Sequence, residues 1–224
     1  MAGLSEGGSG VRTQYFRTPV LTERWEPVRE LAATGLGTAG STQTDLASDG
    51  WVLQASTATF DGVNRVWISR PPGRLVDASP CESLASTHVG VADLRRQFVL
   101  CSSNPGMGYM DKELQVTTDG GETFEPVAMA PRDGLTSDFA VADSETIAIG
   151  ATAGDAGIVE ASFDGGASWE FTLFEPDTGP VTDLDFQDAE HGTLVAGQAA
   201  LGTSQLFRTV DGGHTWQPVD VTVG

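Results

Sequence analysis

The chain has 224 residues and a mass of 23.4 kDa, which is enough to bury a hydrophobic core in a single large domain. Lysine and arginine number 12 against 31 aspartates and glutamates, and a surface with the resulting net charge of −19 would repel nucleic acid or an anionic membrane. No apolar stretch approaches the ~20 residues of a membrane span, and no block of helix-forming residues indicates a helical bundle or a coiled coil.

The chain begins with a glycine-rich stretch over residues 1–10, which we interpret as a flexible tail or an expression remnant. This stretch has neither the charged nor the apolar region of a signal peptide. Residues 11–28 predict only a pair of strands, because positions 15–28 align without a gap with positions 206–219 near the other end of the chain. The pair is therefore equivalent to the second half of a longer repeat.

Four longer repeats follow, with predicted boundaries at 29–76, 77–127, 128–172 and 173–219. The first half of each repeat predicts a strand, a turn that contains aspartate, and a second strand. Phe139 and Val141 alternate with small or polar residues, as do Leu184 and Phe186 in the next repeat, which is typical of half-buried strands. In the first of the four repeats, Pro-Pro-Gly supplies the turn that Asp-Gly-Gly supplies later.

Segments 117–124, 162–169 and 209–216 share one pattern: a hydroxyl residue, any residue, Asp-Gly-Gly, two further residues and an aromatic residue. The aromatic residues are 45 and 47 positions apart, a period typical of a four-stranded propeller blade. Glycine tolerates a positive φ and aspartate accepts nearby backbone N–H groups, so each segment predicts a tight turn with structural side chains. The side chains expected to build these turns are Thr117, Asp119, Gly121 and Phe124, then Ser162, Asp164, Gly166 and Trp169, then Thr209, Asp211, Gly213 and Trp216.

The three segments resemble the Asp-box, or bacterial neuraminidase repeat, of sialidases, sortilin-type receptors, xyloglucanases and photosystem II assembly/stability factor-like proteins. The resemblance implies an all-β fold, a β-propeller of four-stranded antiparallel blades in which the box joins the third and fourth strands at the periphery. Residues 184–192 and the box that follows them resemble one repeat of the photosystem II assembly factor-like group. We therefore predict one propeller over residues 11–224, with about five blades: four full ones and one partial N-terminal blade.

A partial blade leaves a sheet edge without a partner, which is an aggregation liability. Three arrangements would resolve this. The chain could lack N-terminal blades of a longer protein, the N-terminal strand pair could close a compact five-bladed ring, or two chains could combine into a homo-oligomer. The sequence leaves all three open.

Cys81 and Cys101 are the two cysteines of the chain. The blade pattern places them at neighbouring ends of an antiparallel pair, so a disulfide is geometrically feasible, and two buried free thiols are the alternative. An even count without Cys-x-x-Cys spacing argues against a zinc site or a thioredoxin-type redox site. A disulfide would indicate an oxidising compartment and favours an exported protein, located outside the cell, in the periplasm or at the cell surface.

The segment Phe-Arg-Thr-Pro at 16–19 resembles the Phe-Arg-Ile-Pro motif of sialidases, whose arginine binds the substrate carboxylate through a bidentate pair. That role would fall to Arg17. Phe207 and Arg208 occupy the equivalent position of the last repeat, so the repeat itself also explains the segment. We expect the second explanation to hold and predict no catalytic residue.

The acidic residues Asp183, Asp185 and Asp188 suggest a calcium cluster. A calcium site needs about six or more oxygen ligands, however, so we expect a solvated acidic face instead. His88 and the other two histidines lie in different repeats without metal-ligand spacing. We therefore predict no metal and no cofactor.

Two functions are consistent with the sequence. The first is a non-catalytic protein-interaction or assembly module, as the photosystem II assembly factor and sortilin resemblances imply, with another protein as the partner. The alternative is a glycoside hydrolase of the sialidase type or a carbohydrate-binding propeller.

Overall fold

The computed structural model describes residues 16–17, 26–27, 40–46, 52–58, 65–70, 74–81, 86–198, 202 and 204–220. Within this part of the chain there are one two-stranded sheet and four four-stranded sheets. The two-stranded sheet consists of β1 (Phe16–Arg17) and β2 (Glu26–Pro27), which pair antiparallel. No helix among the described residues is long and apolar enough to cross a membrane.

Each four-stranded sheet is an antiparallel meander of strands that follow one another in the chain. The first sheet consists of β3 (Gly40–Leu46), β4 (Val52–Ala58), β5 (Arg65–Arg70) and β6 (Arg74–Asp77). The second consists of β7 (Ser86–Val91), β8 (Gln97–Ser103), β9 (Asp111–Thr117) and β10 (Glu125–Ala130). The third consists of β11 (Leu135–Val141), β12 (Ile147–Ala153), β13 (Ala156–Ser162) and β14 (Glu170–Glu175). The fourth consists of β15 (Val181–Phe186), β16 (Gly192–Ala196), β17 (Gln205–Thr209) and β18 (Gln217–Val219).

Aspartate forms the turn between the first and second strands of the later sheets. In the second sheet, Asp93 Oδ1 accepts the backbone N–H groups of Arg95 and Arg96 at 2.7 and 2.8 Å. Asp143 and Asp188 accept the equivalent pairs of N–H groups in the third and fourth sheets. These bonds give the backbone N–H groups of each turn an acceptor that water would otherwise have to supply. They also set the register of the first strand pair.

The hydrophobic core of the described part of the chain is divided into three clusters, each between two successive sheets. The cluster between the first and second sheets contains Val66, Ile68, Val89, Val99 and Cys101. The cluster between the second and third contains Phe98, Leu100, Leu114, Ala130, Phe139, Ile147 and Ile149. The cluster between the third and fourth contains Val159, Leu173, Val181, Leu184, Leu194, Phe207 and Trp216, among others.

The sheets meet through their first strands: β3 contacts β7, β7 contacts β11, and β11 contacts β15. Sheets that pack face to face through apolar clusters and converge on their first strands are the blades of a propeller. The predicted all-β propeller of four-stranded antiparallel blades is therefore confirmed.

A disulfide joins Cys81 to Cys101. Cys81 lies in the connector between the first and second sheets, and Cys101 lies in β8. The two residues are 20 positions apart, so the bond closes a short loop and fastens the connector to the second sheet.

Candidate functional site

Connections between strands lie at two opposite ends of the sheets, because antiparallel strands reverse direction at every turn. At one end, which we call the turn end, lie the aspartate turns between first and second strands and the three Asp-Gly-Gly turns between third and fourth strands. The opposite end, which we call the loop end, carries the loops between second and third strands and the connectors from one sheet to the next.

The three Asp-Gly-Gly turns have the same pattern of hydrogen bonds, each within its own turn. In the third sheet, Asp164 Oδ1 accepts the Ser168 N–H at 2.8 Å and the Ser162 hydroxyl at 2.9 Å, and its Oδ2 accepts the Ser168 hydroxyl at 2.6 Å. The Ser162 hydroxyl oxygen accepts the Gly166 N–H at 2.8 Å. The equivalent residues are Thr117, Asp119, Gly121 and Thr123 in the second sheet and Thr209, Asp211, Gly213 and Thr215 in the fourth.

Both carboxylate oxygens of each aspartate are thus engaged inside its own turn. The bonds to Thr123 hold the pKa of Asp119 well below its usual range, and those to Ser168 lower the pKa of Asp164. The aromatic residue that ends each segment packs inward: Trp216 is buried, and Phe124 and Trp169 are half-buried against the clusters between sheets. We conclude that these residues build the turns.

The acid stability of the fourth sheet should depend on Asp211. The hydroxyl and N–H of Thr215 lower the pKa of Asp211 to about 2. A carboxyl group with a pKa lower in the folded state stabilises the fold above its unfolded pKa of ~4, and this stabilisation is lost as the pH falls towards 2. We expect Asp211→Asn to be less stable than the wild type at pH 7, with a difference that shrinks towards pH 2. Urea unfolding at a series of pH values measures this.

The matched control is Asp220→Asn, at an exposed residue just after β18. It should change the unfolding free energy little at pH 7, because the side chain is exposed. Parallel stability curves for the wild type and Asp211→Asn across this range would contradict the role given to Asp211.

Polar side chains of two first strands, β3 and β11, join their sheets to the following sheet. Gln43 Oε1 accepts the Val89 N–H at 2.8 Å, and Asp45 Oδ2 accepts the Val91 N–H at 2.7 Å. Asp138 Oδ2 accepts the Leu184 N–H at 2.7 Å. Each of these bonds spans 46 positions of the chain, which is about one repeat. Each therefore joins a side chain of one blade to the backbone of the following blade.

Asp138 is a half-buried acid of β11. Its other oxygen, Oδ1, accepts the Phe139 N–H at 2.8 Å, so both carboxylate oxygens have backbone donors. Burial raises the pKa of Asp138, and the nearby carboxylates of Asp183 and Asp185 raise it further. The arrangement positions Asp138 as a clamp between the third and fourth sheets.

The suggested calcium cluster is divided by the fold. Asp183 lies within β15 and Asp188 follows its end at the turn end, where Asp188 binds backbone N–H groups and lies 2.9 Å from His191 Nδ1. No group of three metal-binding side chains is found in the described residues. His88 is half-buried in β7, and desolvation lowers its pKa to about 4, so the imidazole is neutral at pH 7.

The one lysine of the chain, Lys112, forms an ion pair that the sequence analysis missed. Its Nζ lies 2.8 Å from Glu160 Oε2 and also donates to the Asp133 carbonyl, and both charged side chains are fully buried. Burial lowers the pKa of Lys112 and raises that of Glu160 to about 7. Lys112 lies in β9 and Glu160 in β13, so the pair joins the second and third sheets inside the molecule.

A group of exposed side chains at the loop end was also missed. Met107 is fully exposed and Tyr109 is 45% exposed, both in the loop between β8 and β9. The Arg132 guanidinium lies 5.0 Å from the centre of the Tyr109 ring, and its Nε lies 2.7 Å from Asp111 Oδ1. We call Met107, Tyr109 and Arg132 the loop platform.

Backbone hydrogen bonds fix the loop that carries this platform. The Gly106 N–H donates to the Tyr109 carbonyl at 2.8 Å, and the Met110 N–H donates to the Arg132 carbonyl at 2.9 Å. The Gly134 N–H donates to the Gly108 carbonyl at 2.9 Å, which ties the loop to the connector into the third sheet. The Tyr109 ring packs against Gly106, where a larger residue would collide with it. These contacts hold the backbone of the loop and the Tyr109 ring in place.

Length distinguishes this loop only from the equivalent loop of the third sheet, since residues 59–64 and 197–204 separate the corresponding strands of the first and fourth sheets. Residues 104–110 separate β8 from β9, whereas residues 154–155 alone separate β12 from β13 in the third sheet. The other candidate, Arg17, lies in β1, but its side chain and residues 18–19 of the sialidase-like segment are outside the described residues.

No protein-family model and no curated protein matches the chain. Among solved structures, a Hadza microbial sialidase is similar over 92% of this chain and 51% of its own, with 16% identity and a TM-score of 0.57. Prolyl oligopeptidase B from Galerina marginata is similar over 99% of this chain and 32% of its own, with 11% identity and a TM-score of 0.56. YCF48 from Cyanidioschyzon merolae is similar over 84% of this chain and 59% of its own, with 12% identity and a TM-score of 0.51.

The chain thus spans 32% to 59% of the length of these structures. Their names belong to different functional classes, and at identities of 11% to 16% the likeness concerns the fold alone. The chain shares the β-propeller fold of YCF48 and of a microbial sialidase.

Proposed function

We propose that the chain is a non-catalytic protein-interaction module that binds a partner protein at its loop end. The observation that carries this proposal is the loop platform, in which Met107 is fully exposed while Tyr109 and Arg132 are held in one fixed geometry. Methionine, tyrosine and arginine are enriched in protein interfaces, and tyrosine and arginine dominate binding hot spots. A platform fixed before binding loses little conformational entropy when the partner docks.

The charge of the molecule suggests what surrounds the platform in a complex. Asp111 pairs with Arg132, Asp133 is exposed beside it, and the chain as a whole carries a net charge of −19. A partner with an apolar patch for Met107 and basic residues around it would be attracted by this field and oriented before contact.

The proposal includes a location outside the reducing cytosol. It is supported by the disulfide between Cys81 and Cys101, because such bonds persist in oxidising compartments. The resemblance of the repeats to photosystem II assembly factor-like proteins supports an assembly role more than catalysis. The engagement of the box aspartates and Asp138 by hydrogen-bond donors supports the same choice.

Affinity capture from an extract of the source organism tests the proposal. The wild type should retain a partner at stoichiometric yield, and Met107→Ser combined with Tyr109→Ser should retain it at least about tenfold less, since both interface anchors are removed. Val210→Ser is the matched control, because Val210 is 55% exposed at the turn end and should not matter.

An enzymatic assay gives the outcome that would overturn the proposal. Fluorogenic sialosides and β-glucan oligosaccharides are incubated with the purified chain and with Arg17→Ala. Turnover by the wild type that Arg17→Ala abolishes would establish a glycoside hydrolase instead.

A further inference from the structure

The outer strand of the third sheet exposes two large aromatic side chains. Phe171 and Phe174 lie in β14 with exposed fractions of 56% and 63%. An exposed pair of phenylalanines on one strand is unusual for a soluble surface and marks a contact site more often than a packing accident. Neither residue belongs to the loop platform or to an Asp-Gly-Gly turn.

A β-bulge places the two phenylalanines on the same face of the sheet. Phe174 pairs with Ile158 and Phe171 pairs with Glu160, and the register shifts between these pairs because Thr172 is the extra residue. Paired residues share a face, and Ile158 and Glu160 lie two positions apart in β13, so all four side chains point the same way. Glu160 contacts Lys112, so this face is turned towards the second sheet.

The backbone of β14 is an open edge. In the strand order of the third sheet, β14 is the last strand and has no partner strand on its outer side among the described residues. Its outward N–H and C=O groups can therefore accept an extended segment as a fifth strand, in the β-addition mode of peptide recognition.

Carboxylates flank this apolar edge at both ends. β14 reads Glu-Phe-Thr-Leu-Phe-Glu, with Glu170 before the first phenylalanine and Glu175 after the second, and Asp177 follows in the next turn. A strand laid along this edge would bring its own side chains opposite these acids. Basic side chains there would be attracted, and acidic ones would be repelled.

This charge pattern argues against a second copy of the chain as the occupant. Antiparallel pairing of β14 with itself would set Phe171 against Phe174 of the second copy, but it would also set Glu170 against Glu175 twice. Like charges directly opposite one another destabilise a strand pair, and each copy carries a net charge of −19.

We infer that the outer edge of β14 binds an extended basic peptide segment, which adds a strand to the third sheet and packs apolar side chains on Phe171 and Phe174. This interaction is separate from the loop platform, since it uses another sheet and another face of the molecule.

A labelled, end-blocked hexapeptide of lysines alternating with valine and phenylalanine is the probe, and fluorescence anisotropy measures its binding. The wild type should bind it at least about tenfold more tightly than a peptide with glutamate in place of lysine. Raising the salt concentration should weaken binding, because the flanking carboxylates are near the surface. N-methylation of alternate amides in the peptide should abolish binding, since it removes the donors that pair with the edge.

Variants locate the site. Phe171→Ser combined with Phe174→Ser should weaken binding at least about tenfold, and Glu170→Gln combined with Glu175→Gln should remove most of the preference for the basic peptide. Met129→Ser is the matched control, because Met129 is 56% exposed on β10, the outer strand of the second sheet. Met107→Ser should also leave peptide binding unchanged, which separates this test from that of the loop platform.

Three results would overturn the inference. Equal affinity for the basic and acidic peptides would show that the carboxylates beside the edge do not select a basic segment. Undiminished binding by the folded double phenylalanine variant, verified by circular dichroism, would place the peptide elsewhere. A dimer in light scattering that this variant dissociates would assign the edge to a second copy of the chain.

Discussion

Replacing Lys112 with alanine should lower the free energy of unfolding by about 3 to 5 kcal/mol. The side chains of Lys112 and Glu160 are both fully buried, and Glu160 Oε1 already lacks a hydrogen-bond partner among the residues that the structure describes. Without the ammonium group, the buried Glu160 carboxyl must either stay charged with no opposite charge beside it or bind a proton, and at pH 8 both cost free energy relative to the unfolded chain. Urea unfolding at pH 8 measures the loss, at a pH where the carboxyl of Glu160 should be ionised when exposed.

The control replaces both partners. Lys112→Met combined with Glu160→Leu removes the two charges together and should be close to the wild type in stability, or above it, because no buried charge is left unpaired. A loss below ~1 kcal/mol for Lys112→Ala would contradict the buried pair, since surface ion pairs have that magnitude.

Replacing Gly166 with alanine should cost about 2 to 5 kcal/mol of unfolding free energy, through backbone strain and overpacking together. Gly166 has a φ of 95°, in the region that disfavours any residue with a Cβ atom. An added Cβ would also collide with the side chain of Leu114, a fully buried residue of β9 in the neighbouring sheet. Thermal or urea unfolding of the variant measures the effect.

Gly154→Ala separates the two causes. Gly154 has a φ of 66°, but an added Cβ would meet no atom within 4 Å, so only the backbone strain of ~1 kcal/mol remains. Equal losses for Gly154→Ala and Gly166→Ala would show that Leu114 does not pack against the Asp-Gly-Gly turn.

The sheets could be predicted from the sequence because each repeat carries its own local signals. Asp-Gly-Gly with a hydroxyl residue before it predicts a complete hydrogen-bonded turn. The aromatic residue after it predicts a side chain that packs against the apolar cluster between sheets. These signals involve neighbours in the chain, so they can be interpreted without knowing the tertiary structure. The Asp164 turn has the hydrogen bonds that its residue types predict.

Contacts between sheets could not be predicted in the same way. Lys112 and Glu160 are 48 positions apart, and their meeting depends on which face each strand turns to its neighbour. Phe171 and Phe174 differ by three positions, so strict alternation would have put them on opposite faces, and the bulge at Thr172 reverses that expectation. The sequence alone also leaves Cys81 and Cys101 as either a disulfide or two thiols.

The loop platform lies in a part of the chain where no repeat constrains the residues. Met107 and Tyr109 belong to the loop at 104–110, where the third sheet has only residues 154–155 and the fourth sheet has residues 197–204, so the internal alignment does not fix the residues of this loop. Their proximity to Arg132 follows from backbone bonds between the loop and the connector, which only the fold reveals.

The most direct test of the proposed function is site-specific photo-crosslinking. A photoreactive amino acid replaces Met107 in one preparation and Val210 in another, at exposed positions on opposite ends of the propeller. The protein-interaction account predicts one partner protein crosslinked from position 107 and not from position 210. Equal labelling from both positions, or none from position 107 in an extract of the source organism, would contradict it.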